Sequence, residues 1–204
     1  MSWFDKQRVK ATSLYIDVNT VAYDPQDHFD FAYVESSWQR IEERLAKGTL
    51  EDFALAIHAI GDFYAHSYYG FFTLKEGSDT IPVYNPRKPL PAAILNYDFS
   101  KLGGLPGCEA KGGSKPEQTW QGKLISGQWW RWYAAIPNEL QDNADFPTRR
   151  CLPDHDAVAV DSQKYDADKH KLFSEKDYNR QFAARKKAAI EHIKQVYAKW
   201  KKKK

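Results

Sequence analysis

Excess positive charge is missing from the body of this chain. The 204 residues carry a formal net charge of +3, and the last four are all lysine. What remains is near neutral and offers no basic footprint for nucleic acid. Long apolar runs are absent too, so no membrane-spanning helix is expected, and the opening MSWFDKQRVK lacks the apolar core of a signal peptide. Cysteine is limited to Cys108 and Cys151, each in a Gly/Pro-flanked stretch; a disulfide stapling two loops and a pair of free thiols both fit. No Gly-rich phosphate loop, GxSxG elbow or CxxC pair occurs, which removes the common routes to nucleotide, serine-hydrolase and thiol-redox chemistry. No internal repeat is present, and the length suits one domain over residues 1–204.

Aromatic residues are abundant instead: seven Trp, twelve Tyr and eleven Phe, more than a small core usually demands. A dense aromatic core accounts for most of them, with a groove or membrane-facing surface as the alternative. The most informative stretch is FALAIHAIGDFYAHS, residues 53–67, which reads as one helix carrying His58, Asp62 and His66 at four-residue steps. Residues i and i+4 lie one above the other on a helix, so neighbours in this series can reach a common ion. Phe53, Ile57, Ile60 and Tyr64 form the apolar stripe on the other side. From Phe53 to Leu74 there is no Lys or Arg, so Asp62 has no local cationic partner, and a bound cation would hold its carboxylate away from water. Two hydrogen-bonded core histidines with an Asp paired to a distant Arg is the competing structural reading.

Upstream, YDPQDHFDF packs the potential metal ligands Asp24, Asp27, His28 and Asp30 into seven residues just before a second amphipathic helix, marked by Phe31, Val34, Trp38, Ile41 and Leu45 and stopped by Gly48. Thr49 with Asp52 can cap the helix that follows. The short link makes the two helices antiparallel neighbours and brings His28 towards Asp62 and His66. Residues from about 74 to 123 hold most of the Pro and Gly and read as a long irregular region walling a site. LISGQWWRWYAAI, residues 124–136, reads as an aromatic helix. In LPDHDAVAVD, His155 and Asp161 bracket a short apolar run, and a long helix capped by Ser174 and Asp177 runs to about Trp200 with Tyr178, Phe182, Ala189, Ile193, Val196 and Trp200 on its buried stripe. Glu191 and His192 lie near its edge and read as solvated or hydrogen-bonded. His58 and His66 stand about 12 Å apart along their helix and cannot share one ion, whereas Asp62 between them can bridge two. Paired cations of this kind hydrolyse phosphoesters, and imidazole with carboxylate favours zinc over manganese or iron.

HAIGDFYAHS resembles the signature of the Het-C-like and bacterial zinc-dependent phospholipase C-like proteins, of the form ALHxxQDFYAHSNW, and YDPQDHFDF resembles that family's upstream HFD segment. The resemblance implies a mainly α fold, a helical bundle of the phospholipase C/P1 nuclease type with long irregular loops. It implies that His28, His58 and Asp62 bind one zinc, that His66 binds another, and that Asp62 is also placed for the activated water. LPDHDAVAVD resembles a segment of bacterial members, which makes His155 and Asp161 the remaining ligands. Two zinc ions are implied; a third depends in that family on a mature N-terminal Trp, whereas here Trp3 follows Met1 and Ser2. The Cys-x-His-Gly segment of the family appears without its His, and Tyr68 and Tyr69 stand where the motif has Asn-Trp.

The expected function is phospholipase C-like hydrolysis of a phospholipid headgroup phosphoester by zinc-activated water, on a monomer making peripheral membrane contact, with Tyr68, Tyr69 and Trp129 touching substrate. The expected setting is outside the producing cell or in the periplasm. A P1/S1-type nuclease is the second enzymatic reading, though nucleic acid suits the near-neutral body poorly. A non-catalytic binding protein whose helices are stapled by metal is the reading from a different class.

Overall fold

The computed structural model describes residues 1–18, 24–30, 32–97, 124–127, 155–170 and 172–203. Among the described residues seven helices run in order: α1 Trp3–Val18, α2 Glu35–Lys47, α3 Leu50–His66, α4 Tyr69–Thr73, α5 Ala92–Leu95, α6 His155–Val158 and α7 Glu175–Lys201. Among the described residues there is no strand, only one isolated antiparallel bridge between Ser67 and Ser126. Over the described residues the fold is mainly α, as the resemblance implies. Cys108, Cys151 and Trp129, together with Trp130, Trp132 and Tyr133, lie outside the described residues.

Helix α3 is the hub, touched by α1, α2 and α7. This explains a composition that is apolar or small almost all the way round: Phe53, Ala54, Ala56, Ala59, Ile60, Phe63 and Tyr64 are all buried. The burial departs from the single stripe read from sequence. Ile57 is only half-buried and Phe63 takes the central place, because three neighbouring helices cover three faces. Around the Phe63 ring stand Phe29, Trp38 and Tyr84, with centroids at 5.2, 5.0 and 4.6 Å. Truncating such a buried ring to Ala costs roughly 3–5 kcal/mol.

The helix ends follow local chemistry. Gly48 terminates α2 with φ of 76°, a left-handed conformation that glycine adopts without a Cβ penalty. Thr49 Oγ1 then accepts from the Asp52 backbone N–H at 3.0 Å and caps α3. Ser174 Oγ does the same for α7, accepting from Asp177 N–H at 3.1 Å. Helix α1 continues through residues 14–18. Residues 124–127, expected to open an aromatic helix, are not helical; Ser126 pairs instead with Ser67, and its hydroxyl accepts from the Ala32 N–H at 3.0 Å. From 74 to 97 the chain is irregular apart from the four residues of α5, in keeping with its Pro and Gly content.

On α7 the buried set is Tyr178, Gln181, Ala184, Arg185, Ala188, Ala189, His192 and Trp200, while Phe182, Ile193 and Val196 are only partly buried. The helix therefore sits rotated from the purely apolar stripe. It brings one amide, one guanidinium and one imidazole inward, because each finds a hydrogen-bond partner there.

Candidate metal centre

Two groups of histidine and aspartate meet at the C-terminal half of α3. In the first, Asp62 Oδ2 lies 3.0 Å from His28 Nδ1 and 3.0 Å from His58 Nε2, and the two ring nitrogens are 3.4 Å apart. Ligand atoms about 2.1 Å from a tetrahedral zinc lie roughly 3.4 Å from one another, so this triangle fits one ion. Ser13 Oγ of α1 lies 3.2 Å from His58 Nδ1, an outer partner that orients the ring and leaves Nε2 facing Asp62.

The second group is His66, His155, Asp30 and Asp161. His66 Nδ1 donates to the His28 carbonyl at 2.7 Å, which fixes the hydrogen on that nitrogen and turns Nε2 towards Asp161 Oδ1 at 3.0 Å. His155 Nδ1 donates to Asp30 Oδ1 at 2.7 Å, and its Nε2 faces Asp161 Oδ2 at 3.5 Å. The two imidazoles meet edge to face with centroids 4.4 Å apart. Asp30 therefore stands behind the rings, fully buried, and Asp161 stands in front of them, half exposed at 49%. A carboxylate behind a histidine and an open face before it is the arrangement of a ligand sphere with its outer support.

The electrostatics agree with two compact charge clusters. Burial pushes the Asp62 carboxyl up, but the charge of His66 and the hydrogen bonds from His28 and His58 outweigh it and hold the group well below the usual carboxylate range. Asp161 is likewise held far down by His66 and His155 against the cost of burial. For His66, burial disfavours the cation, yet Asp161, Asp30 and Asp62 together raise its pKa well above the ordinary value. His155 is raised in the same way, chiefly by Asp30.

One short segment organises both groups. Residues 25–30 turn before α2 so that His28 points into the first group, its carbonyl meets His66, and Asp30 backs the second. Phe29 and Ala32, on either side of Asp30, have φ of 54° and 58°. Non-glycine residues there are strained by roughly 1–3 kcal/mol, and such strain persists only where the surroundings impose it. Phe29 is held in the aromatic cluster and Ala32 by Ser126.

The two groups open on one cleft of about 710 Å³, lined also by Phe182, Lys186 and Ile190 of α7. Lys186 forms no ion pair with a carboxylate among the described residues, whereas Lys187 next to it pairs with Asp79 at 3.3 Å. The structure thus brings His28, His58, Asp62, His66, His155 and Asp161 to one place. It does not bring Tyr68 and Tyr69 there: both are buried, at 0% and 4% exposure, in the aromatic core, so the expectation that they touch substrate is corrected. Asp24 and Asp27 are engaged by Arg40 and Arg44 and leave the ligand set. Asp62 keeps to the first group, and the buried carboxylate of the second is Asp30.

Asp30 stands among the candidate ligands of YDPQDHFDF but has no place in either group as read from sequence, and sequence reasoning passes over Arg185 and Lys186. For Asp30 the signal was present, since alternate residues of an irregular segment can serve two neighbouring pockets. For Arg185 the signal was a polar residue among Ala184, Ala188 and Ala189 on a buried face. Nothing marked Lys186 among so many lysines. Comparisons of the chain with protein-family models, with characterised proteins and with solved structures find no match.

Proposed function

We propose that this protein is a metal-dependent phosphodiesterase, with zinc as its ion and a phospholipid headgroup phosphoester as its substrate. The observation that carries the reading is the pair of histidine–carboxylate groups, joined by residues 28–30 and opening on a single cleft. His28, His58 and Asp62 would hold one ion; His66, His155 and Asp161 would hold the other, with Asp30 behind them. When bound, the ions supply Lewis-acid activation of water and neutralise charge on the phosphoryl oxygens.

The chain's own residues supply the rest. Ser13, the His28 carbonyl and Asp30 orient the imidazoles. Asp62 lines the same cleft and would stand next to the activated water, and Asp161, half exposed there, would complete the second ligand set from its open side. Lys186 faces the same space and would bind an anionic phosphoryl group, while Phe182 and Ile190 line it with apolar surface suited to an aliphatic portion. This reading also accords with the resemblance of HAIGDFYAHS and YDPQDHFDF to the zinc-dependent phospholipase C-like proteins. A metal that only staples helices is enclosed by protein ligands. Here the second group borders an open cleft through a half-exposed carboxylate, which favours catalysis.

The test is zinc analysis together with headgroup release from phosphatidylcholine, on wild type and His58→Ala. Bound zinc with activity lost in the variant is the expected result. Protein free of metal after zinc loading, or activity unchanged in the variant, refutes the reading. Cleavage of single-stranded DNA or RNA without lipid turnover would move it to the nuclease class.

A further inference from the structure

Among the described residues Arg185 is the largest fully buried side chain, and its guanidinium has no ion-pair partner within salt-bridge distance there. It is spent on backbone. Nη1 lies 3.2 Å from the Tyr64 carbonyl, 2.9 Å from that of Ala65, 3.5 Å from that of Ser67 and 3.2 Å from that of Val158, while Nε donates to Gln181 Oε1 at 2.8 Å. Three of these carbonyls straddle His66 at the end of α3, where the last turn of a helix leaves acceptors without intrahelical donors. The fourth ends α6, the helix that begins with His155. The Ala65 carbonyl also accepts from the Val160 N–H at 3.1 Å, next to Asp161. One cation therefore ties together the backbone on which His66, His155 and Asp161 are mounted, and its hydrogen bonds go to backbone and to Gln181 rather than to their side chains.

The space for it is provided by Gly70. A Cβ at that position would come within 2.6 Å of Arg185 Nε and 2.9 Å of Cγ. The φ of Gly70 is not in the left-handed region, so contact with Arg185, rather than backbone conformation, is what keeps the residue small.

We infer that Arg185, seated against Gly70, is the positioning residue of the second metal group: it sets the spacing of the α3 and α6 ends and so the affinity for the second ion alone. Its hydrogen bonds reach neither residues 28–30 nor the first group, where His28, His58 and Asp62 are positioned by one another and by Ser13. This rests on the metal reading proposed above.

The experiment titrates metal-free protein with cobalt and follows its visible absorption, with helix content checked by circular dichroism. Wild type is expected to take up two equivalents. Arg185→Met and Gly70→Ala are expected to keep one tight equivalent with an unchanged spectrum and to bind the second at least about tenfold more weakly, in the range found when outer partners of ligands are removed. Arg185→Lys, which keeps the charge but not the fork, is expected to fall between. Folded variants that bind the second cobalt with wild-type affinity overturn the inference; so does equal weakening of both equivalents. Should Arg185→Met not fold, Gly70→Ala decides, because it displaces the guanidinium without removing it. Wild type that binds no cobalt overturns the metal reading itself.

Discussion

His192 gives a pH dependence whose size follows from its surroundings. The ring stacks on Trp38 at 5.3 Å, and its Nδ1 lies 3.1 Å from the Tyr64 hydroxyl. That hydroxyl already accepts from the Tyr84 N–H at 2.8 Å, so its hydrogen points to His192 and the imidazole is the neutral acceptor. Burial first, and the charge of Lys199 second, push its pKa down from 6.5 to about 4. The sign follows directly. Between those two pH values the unfolded chain binds a proton that the native protein excludes, so the contribution of neutral His192 is complete above pH 6.5 and is lost as pH falls towards 4. At about 1.4 kcal/mol per pH unit, the loss is about 3 kcal/mol. For a chain of this size that is a fall in Tm of roughly 6–12 °C. His192→Asn offers an amide oxygen to Tyr64 in place of Nδ1 and does not titrate. Urea unfolding of both proteins in the presence of a chelator, at pH 7.5 and pH 4, isolates the effect, because the carboxylates and remaining histidines are common to both. The stability of wild type relative to the variant should drop by about 3 kcal/mol on acidification. A difference constant to within about 0.5 kcal/mol would refute the account of a buried neutral imidazole.

Two further outcomes concern the site and its scaffold. Asp30→Asn keeps the shape but weakens the acceptor behind His155 and His66, so the second ion should bind roughly 10–100-fold more weakly with the first unaffected, read by metal titration. Thr49→Ala removes the α3 cap and should cost about 1 kcal/mol, a fall in Tm of roughly 2–4 °C, without changing metal stoichiometry.

The parts of the fold legible in the sequence are those governed by short-range rules. The boundaries of α2, α3 and α7 follow from Gly48, Thr49 and Ser174, and each stands within a residue or so of where its cap places it. The gathering of His28, His58 and Asp62 was legible because a short link forces α2 and α3 to lie antiparallel. What was not legible depends on contacts far apart in sequence. Phe63 outranks Ile57 only because α1, α2 and α7 close on α3 from three sides. Tyr68 and Tyr69 follow the ligand motif and look placed for substrate, yet the chain turns after His66 and sends both into the core. Arg185 reads as a solvent cation until the ends of α3 and α6 supply the carbonyls that bury it.

The two metal groups are also not separate devices, since residues 28–30 belong to both. Displacing His28 would move its ring in the first group and its carbonyl, the acceptor for His66, in the second. The left-handed conformations at Phe29 and Ala32 are strained and would relax if released, and the packing of Phe29 among Trp38 and Phe63 holds the segment in place. The aromatic core beneath the site therefore acts on the site. A change that loosens Phe63 should be felt at His28 before it is felt at Asp161, because the first is mounted on the strained segment and the second on the backbone that Arg185 and Ala65 hold.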